Sequence, residues 1–316
     1  MKKLIVTLGI VFIIILSVFA ISQKQQQKSS EKIQIITTLF PLYDFAKHIG
    51  QDNVEVSLLL PPGVEAHSFE PKPSDIAAIN QADIFIYTGK FMEPWVEDII
   101  KGLTGKNITI VDSSAGINLM KEEEEHADEH EEEQGHEHGG VDPHIWLDFD
   151  NDKKIIQTLV TTLSQKDPKN ASSYQQKGNE YQEKLSSLDE MYRTTLSQCK
   201  TKEIVYGGHY AFGYLANRYA LTYLAAQGIS PDAEPTAQDL IHLVEQIKKN
   251  NIQYVFYEEL ASPKIAETLT NETKTRMLLL NAAHNVSKED FEKDISFLSI
   301  MEDNLSNLSI GLQCNK

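Results

Sequence analysis

Four histidines stand alone in the chain, each in a short polar or Gly/Pro-marked turn: His67, His144, His209 and His284. Neutral imidazole is the commonest side-chain ligand for metal ions. Ligands this far apart along a chain meet around one ion only if a fold brings them together. A second set is different. Between Lys121 and Gly140, His126, His130, His136 and His138 are interleaved with ten acidic residues. Such a run collects cations without folding, because its donors are already dense along the chain. His48 and His242 fall within helical patterns and read as surface residues. The histidines therefore suggest two modes of handling a transition metal: one defined site and one loose collector.

The isolated histidines need elements that present them. Residues 33–38, 54–60, 84–88 and 108–111 read as strands, with helical patterns at 40–49 and 74–81 and Ser74 as an N-cap. Strand–helix alternation of this length argues for βαβ units and a parallel sheet. His67 follows the Pro61-Pro62-Gly63 stop, and His144 sits in Asp142-Pro143-His144 ahead of a helix at 152–163. The theme restarts near residue 200, with strands at 204–206, 223–226, 254–258 and 277–280 and helices at 211–219, 236–250, 264–270 and 295–308. His209 comes directly after the first of these strands and His284 four residues after the last. Open α/β sheets bind ligands at the carboxyl ends of their strands, so two histidines from each half can face one cleft.

Between the halves, residues 169–198 read as one helix. Tyr174, Tyr181, Leu185, Leu188 and Tyr192 recur at helical spacing, with one glycine and no proline. Thirty helical residues span about 45 Å, enough to bridge two lobes. The expected fold class is α/β: two lobes, each a parallel sheet flanked by helices, joined by one long rigid helix. The N-terminal lobe covers 33–165, including the 121–140 loop. The linker helix takes 166–199, and the C-terminal lobe 200–316. A rigid linker argues for modest motion on binding.

Charge and leader narrow the setting. Of the net charge of −17, nine units sit in the acidic histidine run. No basic patch stands out, which argues against a nucleic-acid partner. Met1-Lys2-Lys3, the apolar stretch 4–16, and Val18 and Ala20 make residues 1–21 a leader. The leader is either cleaved or kept as an anchor, since its roughly eighteen apolar residues border on a spanning length. No cysteine lies there to carry a lipid. Residues 22–32 read as a flexible tether. The protein is thus expected outside the cytoplasm, in the periplasm or on the outer face of the cytoplasmic membrane. Cys199 and Cys314 are there either a disulfide or two free thiols. No His-Glu-x-x-His helix accompanies the histidines, so an enzyme is disfavoured. Asp148 and Glu65, the carboxylates nearest His144 and His67 in sequence, are candidates for orienting those rings.

Four blocks carry a family resemblance: Pro62-Gly63-Val64-Glu65-Ala66-His67-Ser68-Phe69-Glu70-Pro71, Asp142-Pro143-His144-Ile145-Trp146-Leu147-Asp148, Gly208-His209-Tyr210-Ala211-Phe212-Gly213-Tyr214-Leu215 and Gly228-Ile229-Ser230-Pro231-Asp232-Ala233-Glu234-Pro235-Thr236. Together they resemble the solute-binding proteins of zinc and manganese ABC transporters, the ZnuA/TroA-like group. The resemblance runs from about residue 33 to 312. It implies two α/β lobes on a long helix, an ion carried in the cleft, and delivery to a membrane permease by a protein expected to be monomeric. His67, His144 and His209 are by this resemblance the first three ligands. Histidine in the third place points to Zn2+ over Mn2+, in line with the preference of imidazole for zinc. The fourth place departs from the family pattern. Asn281 stands where an aspartate is usual, and His284 falls where some zinc-binding relatives have glutamate. His284 is therefore the expected fourth ligand, with water or Glu65 as alternatives. Similar runs in zinc-type relatives support the expectation that the acidic histidine loop gathers extra zinc, and release is expected to need the permease to disturb a loop near His209 or His284. The resemblance brings in a surface adhesin as a further reading.

Overall fold

The computed structural model describes residues 32–103, 107–121, 140–229, 231 and 234–315. Short runs of β-branched and aromatic residues build the first sheet: β1 (Ile33–Thr37), β2 (Val54–Leu58), β3 (Ile84–Tyr87) and β4 (Thr109–Asp112). All pair in parallel, in the order β2-β1-β3-β4. Every side chain of β3 is buried, as a central strand covered on both faces requires. The second sheet repeats the plan with β5 (Glu203–Tyr206), β6 (Thr222–Ala225), β7 (Tyr254–Tyr257) and β8 (Arg276–Leu279). Its order is β6-β5-β7-β8, again parallel. Parallel strands deliver all their outgoing loops to one edge, and that edge of each sheet carries the isolated histidines.

Helices α1 (Phe40–Gly50), α2 (Pro73–Ile79), α3 (Val96–Gly102) and α4 (Phe149–Lys166) belong to the first lobe. The long helix α5 (Ala171–Ser197) follows. The second lobe carries α6 (Gly213–Arg218), α7 (Ala237–Lys249), α8 (Lys264–Thr273), α9 (Lys288–Glu292) and α10 (Phe297–Gly311). Thr236 caps α7 as its sequence suggests, its hydroxyl accepting from the Asp239 amide at 3.2 Å. Ser74 does not cap α2. That helix starts one residue earlier at Pro73, whose fixed φ suits the first helical position, and Asp75 accepts from the Lys72 amide at 2.8 Å.

The 27 residues of α5 run for about 40 Å, and the helix is fastened to both lobes. The Tyr181 hydroxyl donates to Asp44 of α1 at 2.6 Å, and the Tyr192 hydroxyl to the Met301 carbonyl of α10 at 2.5 Å. Gly178 is where α4 comes closest, since a Cβ there would lie 2.4 Å from Val160 Cγ2. The lobes also touch directly, with Phe45 of α1 and Phe297 of α10 edge to face at 5.2 Å. One hydrophobic core runs through both, from Ile35 and Phe45 to Ile300 and Leu308.

Arg218 at the end of α6 adds a polar clamp. It reaches Asp148 and Asp150 at the start of α4 at 2.7 and 2.9 Å, and Asp189 of α5 at 2.6 Å. Burial works against the Asp189 charge, yet the guanidinium holds its carboxyl down to about 2. Cys199 and Cys314 are joined by a disulfide that pins the C-terminus beside the end of α5. Lys121 and Val141 form an isolated antiparallel bridge. Residues 122–139 between them, like residues 1–31 that carry the expected leader and most of the expected tether, lie outside the described residues. Among those described, no helix is long and apolar enough to cross a membrane.

Candidate metal site

His67 leaves β2 through a turn in which Gly63 takes φ +85°. The Glu65 carboxylate accepts from the backbone amides of His67 and Ser68, both at 2.8 Å. The opposite lobe holds this loop as well. Asn285 Nδ2 donates to the Pro61 and Val64 carbonyls at 2.8 and 2.9 Å. His144 sits on the strap that precedes α4. Asp142 Oδ1 takes both its backbone amide, at 2.9 Å, and its ring Nδ1, at 2.8 Å. Trp146, two residues on, donates its indole N–H to the Ala282 carbonyl at 2.7 Å and so ties the strap to the His284 loop. His209 follows β5, its Nδ1 lying 2.8 Å from Glu258 Oε1. His284 follows β8, its Nδ1 3.9 Å from Glu259 Oε1.

The four rings converge. Nε2 of His144 lies 3.3 Å from that of His67 and 3.2 Å from that of His209, and His284 Nε2 lies 3.3 Å from His209 Nε2. All four candidate ligand atoms fall within 4.8 Å of one another. A tetrahedral zinc with Zn–N bonds of about 2.0–2.1 Å has nitrogen–nitrogen edges of roughly 3.3–3.4 Å. Where a carboxylate holds Nδ1–H, as at His144, Nε2 keeps its lone pair and aims it inward. Lone pairs gathered this closely repel one another, and a cation among them turns that repulsion into coordination.

Electrostatics favours the neutral, metal-ready form. Burial, reinforced by His209, brings the His67 ring down to about 4. Burial and the neighbouring imidazoles push His144 and His284 well below the usual histidine range. Burial, helped by the adjacent Glu258 charge, raises the Glu259 carboxyl to about 8.

The structure thus brings together His67, His144, His209 and His284, three of them buried and His67 partly exposed. The two carboxylates expected to orient rings do other work. Glu65 serves backbone amides, because a loop leaving a strand must satisfy its own N–H groups. Asp148 caps α4 by accepting from the Asp150 amide at 2.8 Å and pairs with Arg218. The carboxylates beside ring nitrogens are Asp142, Glu258 and Glu259, which sequence reasoning missed. The available signals were an acid two residues before His144 and an acidic pair directly after strand β7. Asn281 turns its side chain to the Ala283 amide at 2.7 Å. The histidines of the acidic run lie outside the described residues.

The fold and this site define a class: a two-lobed protein built to enclose one bare cation between its lobes. The chain belongs to the family described as zinc-uptake complex component A, periplasmic, whose model matches residues 35–311. It is 38% identical over 283 residues to the high-affinity zinc uptake system protein ZnuA of Bacillus subtilis, covering 89% of this chain and 88% of that protein. It is 36% identical over 293 residues to the zinc-binding lipoprotein AdcA of Streptococcus pneumoniae (strain ATCC BAA-255 / R6). That match covers 92% of this chain but only 58% of AdcA's length. Among solved structures, the Zn(II)-bound ZnuA-like domain of Streptococcus pneumoniae AdcA superposes with a TM-score of 0.75 at 34% identity, covering 89% of this chain and 99% of that domain.

Proposed function

We propose that this protein captures Zn2+ outside the cytoplasm through the Nε2 atoms of His67, His144, His209 and His284 and delivers it to a membrane ABC permease for uptake. The observation that carries the reading is the convergence of four imidazole nitrogens within 4.8 Å of one another, three of their pairs at 3.2–3.3 Å, close to the edge length of a tetrahedral zinc site. An all-imidazole set suits zinc better than manganese, which prefers oxygen donors. Filling every coordination position with protein also leaves no place for a zinc-bound water, so the reading is a binder and not a hydrolase. In this scheme residues 1–21 export the chain or anchor it, 22–32 tether it, and His126, His130, His136 and His138 gather zinc near the cleft.

The deciding experiment is zinc affinity of His284→Ala by chelator competition. Losing a ligand should weaken binding by more than the ten- to hundredfold, roughly, that supporting residues cost. Unchanged affinity would remove His284 from the site and leave three histidines with water or Glu65. Delivery is tested separately: a strain lacking the protein should grow poorly at limiting zinc and recover when zinc is added.

A further inference from the structure

We propose that Glu258 and Glu259 act as one positioning device, holding His209 and His284 together in zinc-binding geometry so that the two C-terminal-lobe ligands tighten and loosen as a unit. This rests on the zinc reading above. The device follows from strand order. β7 lies between β5 and β8, so its carboxyl end stands between the two loops that carry His209 and His284. Glu258 and Glu259 directly follow β7, the second of them in a bend. The pair therefore stands just past the strand end, where its two carboxyl groups can each reach one neighbouring loop.

They do so with side chains only 9% and 11% exposed. Glu258 places Oε1 2.8 Å from His209 Nδ1 and accepts the His209 backbone amide on Oε2 at 3.3 Å. Gly208 makes this approach feasible, because a Cβ there would meet Glu258 Oε2 at 2.5 Å. Glu259 accepts the Ala282 amide on Oε2 at 3.1 Å and sets Oε1 3.9 Å from His284 Nδ1. It thus holds the backbone of the His284 loop by a hydrogen bond and stands beside the ring without bonding to it. The turn then leaves through Leu260 at φ +58°, and the His284 loop contains Ala283 at φ +60°. Such conformations persist in non-glycine residues when surrounding contacts enforce them. Among the described residues the first lobe has no counterpart. His144 has its own aspartate two residues away, and the glutamate near His67 holds only backbone amides and a serine hydroxyl.

The test compares zinc dissociation rates, measured by stopped-flow with excess chelator, for the full protein and for Glu258→Gln, Glu259→Gln and the double variant. The visible spectrum of each Co2+-loaded protein reports the coordination geometry, and the melting temperature of each metal-free protein reports folding. Each single change should speed release by about ten- to hundredfold and reduce the tetrahedral Co2+ band. The double variant should release little faster than the worse single one, because residues of one unit are not additive. Independent effects that multiply, or a Glu259→Gln protein with wild-type rate and spectrum, would overturn the pairing. If the Gln variants fail to fold, Glu258→Asp and Glu259→Asp keep the carboxyl group and shorten the reach, and the same comparison applies. His209→Ala separates the two levels, since wild-type zinc affinity in that variant would sink the zinc reading itself.

Discussion

His67 differs from the other three imidazoles in its support. Among the described residues no carboxylate pairs with its ring nitrogens, it is the most exposed of the four, and its loop is held through backbone amides and carbonyls. Burial alone leads the causes that bring the ring down to about 4, against an ordinary value near 6.5. An ordinary histidine would gain its proton as pH falls through that value and lose the lone pair zinc needs. This one keeps it. In the metal-free protein, the His67 resonances followed by NMR should titrate with a midpoint near 4, and zinc affinity should not fall through protonation of this ring until the pH approaches that midpoint. A midpoint near 6.5 would show that the cleft is wetter than its geometry implies. The candidate ligands were legible from sequence because each stands alone in a short turn that follows a strand or precedes a helix. The carboxylates were not. Glu258 meets His209 across 49 residues, and no local pattern records a contact made by strand order.

Among the elements, α5 was legible because its buried tyrosines and leucines keep helical spacing over many turns. Parallel strands such as β3 announce themselves as unbroken apolar runs for the same reason that both their faces are covered. Helices α3 and α9, with seven and five residues, went unread, since so few positions cannot establish a 3.6-residue period. The tyrosines of α5 do more than fill the core, as their hydroxyls bond to partners in opposite lobes. Tyr181→Phe removes the donor to buried Asp44 and should cost about 1–3 kcal/mol. Denaturant unfolding would measure the loss, while chelator competition should find zinc affinity unchanged. A large fall in affinity would mean that α5 shapes the cleft and does not merely hold the lobes.

Taken whole, the molecule has little freedom to open. A continuous core, the Phe45–Phe297 contact, the Arg218 clamp and the bonds from α5 all cross between lobes. Small-angle scattering of the zinc-free and zinc-loaded protein should differ by no more than the backbone shift of about 1 Å typical of pre-organised binding. A clear contraction on zinc addition would contradict a fixed frame. With the frame fixed, exchange of the ion falls to the loops at the strand ends.

The bridge between Lys121 and Val141 bears on how such a molecule changes over generations. The acidic histidine run enters and leaves the lobe at two residues already paired with each other, and closing a longer loop costs only slowly more entropy. Its length and composition can therefore change over generations without displacing the two residues that frame it, and so without moving the histidines of the cleft.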